Sequence, residues 1–224
     1  PLSMSPAARR VLTAGEQNLA RRYQIWLAVN HPDYGQTLFS QSVRNEFSDQ
    51  SSLLADWQNK LVGLETKKPF HQMLWLETQT RMVDFINFEV DKMSMASSIE
   101  ARVPFLDHKL WEFCATLPAH YKLKGNLEKH LLRQATKNIL PEKTRTRRKK
   151  GLAAPYAGWL KSKTLPDWAE TALSPNSLKQ AGIFQPKAVQ TLRQAHQAGQ
   201  PGLGSLLMGV LSTQVWFDQF INNR

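Results

Sequence analysis

The stretch Asp91 to Asp107, DKMSMASSIEARVPFLD, decides how this chain is read. It opens on residues that suit a helix: Met93 and Met95 are flexible and apolar, Ala96 is small, and Ser94, Ser97 and Ser98 allow close packing. Pro104 disfavours the helical region for Val103 and donates no backbone hydrogen bond, so the chain is expected to turn between Glu100 and Pro104. Beyond it Leu110, Phe113, Cys114 and Leu117 recur at helical spacing, which makes Asp107 an N-cap. Two helices therefore meet at a short corner that holds Glu100 and Arg102 among apolar neighbours. A structural ion pair and direct participation in a site both fit that pattern.

Upstream of the corner, FHQMLWLETQTRMVDFINFEVDKMSMA (70–96) contains neither Gly nor Pro and reads as nearly continuous helix. Met82, Phe85, Ile86 and Val90 are expected on one side. Asp84 and Asp91, seven apart, lie two turns from each other. Before residue 70 the pattern gives a helix opened by Ser5-Pro6. A second follows with Leu19, Tyr23, Trp26 and Leu27 on one face, ended by His31-Pro32, and a third runs over about 51–64 behind the caps Ser48 and Asp49. Trp26, Trp57 and Leu61 are read as core anchors, and nothing catalytic is found there. Downstream, a short extended piece and a Gly125 turn precede a helix expected from Asn126 to Leu140, with Leu127, Leu131, Leu132, Ala135 and Ile139 as its buried stripe. The last third reads as short helices split by Pro166, Pro175, Pro186 and Pro201. Its most apolar segment carries Leu206, Leu207, Val210, Leu211, Val215 and Trp216, with Trp216 and Phe220 expected to dock it.

Composition narrows the class. With 42% hydrophobic and 21% charged residues, 224 residues suit one globular domain or a large piece of one. No apolar run approaches the roughly 18 residues of a membrane span, so a soluble, cytoplasmic protein is expected. Cys114 is the only cysteine, which excludes an intrachain disulfide and a cysteine-based zinc cluster; it is read as inert packing. His108 and His196 are isolated, and no metal site is assigned. The net charge of +11 fits a nucleic acid, an anionic substrate or an acidic neighbouring domain equally well.

Much of that charge is local: Lys143, Arg145, Arg147, Arg148, Lys149 and Lys150 fall within eight residues, ahead of Gly151. A solvated loop, a nucleic-acid patch and a phosphate-binding loop compete for this run. Its position between two amphipathic segments and its lack of interleaved aromatics for base stacking favour phosphate, held by Arg147, Arg148, Lys149 and Lys150.

DKMSMASSIEARVPFLDHKLWEF resembles the motif of the asparagine synthetase family, glutamine-dependent ATP-using amidotransferases, in the C-terminal part of their synthetase domain. RRKKGLAAP is similar to the family's basic loop, in which a lysine two residues before a glycine contacts the pyrophosphate released from ATP. The resemblance assigns that role to Lys149. Glu100 is read as a candidate catalytic residue that positions a catalytic or substrate-facing group, or else as one that pairs with Arg102 or caps the corner, with Asp91, Arg102 and Asp107 structural there. Leu152 replaces the family's phenylalanine, and Phe85 follows Asp84 where the family carries an acidic pair.

The fold implied is mainly α: the helical C-terminal portion of an α/β PP-loop ATP pyrophosphatase (adenine nucleotide α-hydrolase-like) domain, with residues 1–224 as one partial domain. The parallel-sheet half, the family's Ser-Gly-Gly-x-Asp-Ser loop and its N-terminal cysteine glutaminase are absent from this sequence. The implied reaction is ATP-dependent amidation of aspartate through β-aspartyl-AMP. Its partners are ATP, Mg2+ (ligands mostly on the missing part), aspartate, ammonia from glutamine and the missing N-terminal part of the protein. A homodimer stays open, no membrane is involved, and nucleic acid is disfavoured. The isolated chain, whether a truncated form, a proteolytic remnant or one piece of a split enzyme, is expected to be inactive. The alternatives are a relative that adenylates another carboxylate, as β-lactam synthetases and lasso-peptide cyclases do, or a non-catalytic basic helical binding module.

Overall fold

The computed structural model describes residues 15, 18–27, 34, 37–46, 51–149 and 154–222. The helix start expected at Ser5-Pro6, the caps expected at Ser48 and Asp49, the stop at His31-Pro32, and Lys150, Gly151 and Leu152 lie outside them. The chain is mainly helical and divides into two compact units, one within residues 57–152 and the other formed by 1–56 with 153–224. No helix among the described residues is long and apolar enough to cross a membrane.

Helices α1 (Leu19–Leu27), α2 (Gln41–Glu46) and α3 (Ser51–Leu61) come first. On α1 the buried residues are Ala20 and Tyr23, while Trp26 is 41% exposed and is no core anchor. Trp57 and Leu61 are half-buried.

The helix expected from 70 to 96 is broken. Helix α4 (Pro69–Gln79) ends at Thr80, which leaves helical geometry (φ −129°, ψ −90°) and whose hydroxyl donates to the Leu76 carbonyl at 2.6 Å. A β-branched residue bonding back to the preceding turn competes with the helical ladder. The chain resumes as a π-helix, Met82–Asn87, and becomes α5 over Phe88–Met95. A π-turn inserts one residue and rotates the residues after it by roughly 100°. Phe85 and Val90 accordingly face outward, apart from the half-buried Met82 and Ile86.

The corner also forms earlier than Pro104 would dictate. Ser98 adopts a left-handed φ of 56°. The Ser98 N–H donates to the Met95 carbonyl (2.9 Å) and the Ile99 N–H to the Ser94 carbonyl (3.0 Å), the two bonds of a Schellman ending. Pro104 opens only a 3₁₀ turn, Pro104–Leu106. Asp107 then caps α6 (His108–Thr116), its Oδ1 accepting the Leu110 N–H at 3.1 Å.

After α7 (Ala119–Lys122), strands β1 (Leu123–Lys124) and β2 (Leu127–Glu128) pair antiparallel, Leu123 with Glu128 and Lys124 with Leu127. Gly125, at φ +57°, stands first in the two-residue loop, where a type II′ hairpin requires it. This hairpin replaces the start of the helix expected from Asn126. Helix α8 is only His130–Ala135 and α9 is Glu142–Thr146. The anticipated buried stripe is absent: Ile139 is 76% exposed, Leu127 and Leu132 are 40% exposed, and Ala135 is exposed. Within this unit Leu76 and Thr80 are the buried residues among those described.

The other unit holds the core. Helices α10 (Tyr156–Trp159), α11 (Asp167–Ala172), α12 (Pro175–Ala181), α13 (Pro186–Gln197) and α14 (Gly204–Phe217) follow the proline punctuation: Pro166 is the residue before α11, and Pro175 and Pro186 begin their helices. Ser174 caps α12 by accepting the Ser177 N–H, and Gly182 ends it in the left-handed region. Leu206, Leu207, Val210, Leu211 and Gln214 form the buried face of α14, packed in one cluster with Leu178, Val189 and Leu192 apart from the polar Gln214. Trp216 and Phe220 are each about half exposed and do not dock the helix. Gly204 is obligatory, because a Cβ there would fall 2.5 Å from the Ala157 Cβ. His196 is buried and its Nε2 donates to the Ala157 carbonyl at 2.8 Å. Residues 38–40 join this core through a bridge from Phe39 to Phe184, whose rings stack at 5.4 Å.

Leu207→Ala should lower stability by about 2–5 kcal/mol in urea unfolding, the usual cost of emptying a closed core site. Glu170 supplies a pH test. The Arg193 guanidinium, hydrogen-bonded to both its oxygens, and then the Leu165 N–H hold the Glu170 carboxyl below the usual carboxylate range. A depressed folded pKa contributes stability above the unfolded value, near 4.3, that is lost as pH falls through the lower folded value. Because Glu170 is 38% exposed, Glu170→Gln should cost only about 1 kcal/mol at pH 7. That deficit should shrink in unfolding curves taken below about pH 4.

Candidate functional site

In the unit within 57–152, α8, α9 and the residues after them enclose an open pocket of about 200 Å³. Five cationic side chains line it, Lys129, Arg133, Arg145, Arg147 and Lys149, with the hydroxyls of Thr136 and Thr144 and the aliphatic Leu132 and Leu140. No carboxylate is among the lining residues. A concave surface with five cations, two hydroxyls and no acid is built to take an anion.

The backbone explains why these residues converge. Lys129, Leu132, Arg133, Thr136 and Leu140 recur at helical spacing from the start of α8 onward, so they share a side. Lys129 begins α8 from a left-handed φ of 56°. Helix α9 presents Thr144 and Arg145, and Arg147 turns extended after it (φ −54°, ψ 145°).

Arg133 ties the parts together: its Nε donates to the Glu128 carbonyl at 2.9 Å, Nη1 to the Arg145 carbonyl, and Nη1 and Nη2 each to the Arg147 carbonyl at 3.2 Å. The Arg145 Nε is buried and meets no acceptor among the described residues.

Of the sequence candidates, Arg147 and Lys149 line this pocket, Arg148 is exposed outside its lining, and Lys150 is outside the described residues. Glu100 and Arg102 form an ion pair at 2.9 Å, but both are largely exposed, not buried among apolar neighbours, and neither lines the pocket. Asp91 is exposed. Sequence reasoning missed Lys129 and Arg133 as pocket residues, and counted Arg145 in the basic run without naming it as a phosphate ligand; the basic and hydroxyl residues interleaved with the leucines of 129–140 were the available signal for the first two. Cys114 is free and half-buried. Elsewhere in the unit, burial lowers the Lys122 ammonium pKa, and burial followed by the charges of Lys122 and Lys68 lowers that of the His71 imidazole.

A family model described as asparagine synthase matches residues 6–218. Asparagine synthetase [glutamine-hydrolyzing] 1 of Bacillus subtilis (strain 168) is 31% identical over 154 residues, covering 69% of this chain and 24% of its own length. Asparagine synthetase [glutamine-hydrolyzing] 3 of the same organism is 29% identical over 159 residues, 66% of this chain and 24% of its own. Amidase chry2 of Gibberella zeae is 32% identical over 98 residues, 41% of this chain and 15% of its own. No solved structure matches. The chain thus spans about a quarter of the length of the synthetases it matches. Matched from residue 6 to residue 218, it belongs to the asparagine synthase family.

Proposed function

We propose that this chain forms the pyrophosphate-handling wall of a carboxylate-adenylating synthetase. In the full protein we read the reaction as conversion of aspartate, ATP and ammonia released from glutamine into asparagine. A carboxylate oxygen attacks the α-phosphorus of ATP, pyrophosphate leaves, and ammonia then displaces AMP from the β-aspartyl adenylate. The observation that carries this reading is the five-cation pocket with Lys149 on its wall. Negative charge builds on the departing oxygens, and a fixed ammonium stabilises that state more than the ground state. Arg147, Arg145 and Arg133 add field to the same space, and the two threonine hydroxyls can donate to phosphate oxygens.

The donor set suits pyrophosphate and does not suit a cation. Among the described residues no three His, Cys, Asp or Glu side chains come together to hold a metal. We assign Mg2+ to the nucleotide and mostly to the rest of the protein, and no step is routed through it here.

The apolar surface supports a chain that works as part of something larger. Phe85, Phe88, Met93, Ile99, Phe105 and Phe113 are each more than half exposed, and apolar surface on that scale marks a docking face. The nucleotide-binding half of the same protein is the partner we assign to it, and a cytoplasmic setting is inferred from the substrates. The similarity to a protein named amidase favours keeping one second reading, adenylation of a carboxylate other than aspartate.

The test is ATP–pyrophosphate exchange in the full reading frame that carries this chain. Exchange should require aspartate, and Lys149→Ala should lower it by about 100-fold or more. Exchange with another carboxylate alone selects the second reading. Salt-sensitive binding of DNA or RNA with no effect of ATP would sink both. Glu100→Gln separates two roles at the corner: lost turnover with unchanged unfolding temperature assigns Glu100 to the substrate, whereas unchanged turnover per folded molecule leaves it an exposed partner of Arg102, worth under about 1 kcal/mol.

A further inference from the structure

We propose that Arg133 is a positioning residue: its guanidinium clamps the backbone of 145–147 and so sets where Lys149 stands. This rests on reading the pocket as the pyrophosphate site. The geometry is specific. One side chain from α8 donates to carbonyls of Glu128, at the end of β2, of Arg145, in the last turn of α9, and of Arg147, directly after it. Carbonyls in the last turn of a helix lack intrahelical partners, and here a side chain twelve to fourteen residues away supplies donors to them. A planar fork with five N–H groups can span three carbonyls on separate segments, and a point-like ammonium cannot.

The clamp also leaves the guanidinium's charge unneutralised. Its acceptors are carbonyl oxygens, and no carboxylate pairs with Arg133 among the described residues. An acid in that place would hold the arginine equally well but would cancel field at the pocket. Arg133 therefore braces the loop and still presents a cation to the anion. Lys149 follows Arg147 by two residues, a tether of at most about 7 Å, so fixing the Arg147 carbonyl limits where the lysine can go. Nothing else among the described residues hydrogen-bonds the Arg147 carbonyl.

The experiment compares the full reading frame with its Arg133→Met, Arg133→Lys and Lys149→Ala variants and the Arg133→Met/Lys149→Ala double variant. Peptide-level hydrogen exchange and the kinetics of ATP–pyrophosphate exchange are measured on each. Arg133→Met should speed exchange of amides 143–149 by about tenfold or more while 154–222 stays as in the parent. It should also raise the KM for pyrophosphate. Arg133→Lys, which keeps the charge and loses the fork, should lose the protection of 143–149 as Arg133→Met does, with a smaller rise in the KM for pyrophosphate. Lys149→Ala should leave the exchange of 143–149 unchanged, and the double variant should lose less catalysis than the product of the two single losses.

Parent-level protection of 143–149 in Arg133→Met overturns the proposal. So does rescue of both readouts by lysine, full additivity of the two substitutions, or loss of protection throughout the chain. If Lys149→Ala leaves the KM for pyrophosphate unchanged, the reading of the pocket fails, while the clamp is still decided by the hydrogen exchange of 143–149.

Discussion

Leu207, Val210 and Leu211 on α14 close against Leu178, Val189 and Leu192, and burial of these side chains holds residues 154–222 together. Each fully buried aliphatic side chain contributes about 1.5–3 kcal/mol by leaving water, enough for a dozen of them to offset much of the ordering entropy of short helices. The unit within 57–152 has no comparable store, since Leu76 and Thr80 are its buried residues among those described. Its order comes from local polar devices: the Schellman ending at Ser98, the Asp107 cap, the Gly125 hairpin and the Arg133 clamp. Such devices specify conformation, but each contributes only about 1 kcal/mol. A unit stabilised this way leaves ten large apolar side chains more than half exposed among the described residues, the surface to which a docking role is assigned above.

The pocket poses a separate electrostatic problem. Two like charges about 7 Å apart at a surface repel by roughly 2 kcal/mol at an effective dielectric near 20, and five cations share this wall. Acidic counter-charges would relieve the repulsion and remove the site's affinity for anions. The chain uses neutral carbonyl dipoles instead. They satisfy the donors of one guanidinium while leaving the net charge intact, and an anion at the proposed site would relieve the remaining repulsion.

The features legible in the sequence are those that neighbouring residues determine. Asp107 caps a helix starting one residue later, and Pro166, Pro175 and Pro186 mark helix starts, because those effects act within one turn. Thr80 was not legible as a break, since a threonine inside a Gly-free, Pro-free run usually stays helical and only its backbone angles show otherwise. Leu127, Leu131, Leu132, Ala135 and Ile139 mimic a helical stripe, yet Leu127 is in a strand and Ile139 faces water. Periodicity records which residues share a side and says nothing of what covers it. Within the site, the basic run was visible as charge, but Arg133 was hidden on a presumed apolar helix. Two of its three acceptors lie twelve and fourteen residues away, beyond the reach of any local pattern.

Two non-glycine residues among those described adopt left-handed backbone, Ser98 and Lys129, and both stand at helix ends in this unit. Glycine would remove the strain, roughly 1 kcal/mol, at either position. At Ser98 the two Schellman bonds repay that cost locally. At Lys129 no side-chain cap forms, so local bonding does not explain the residue. The side chain does: Lys129 lines the pocket, and glycine there would relax the backbone while deleting one of its five cations. Backbone strain retained at a position that supplies a charge accords with the anion site proposed above.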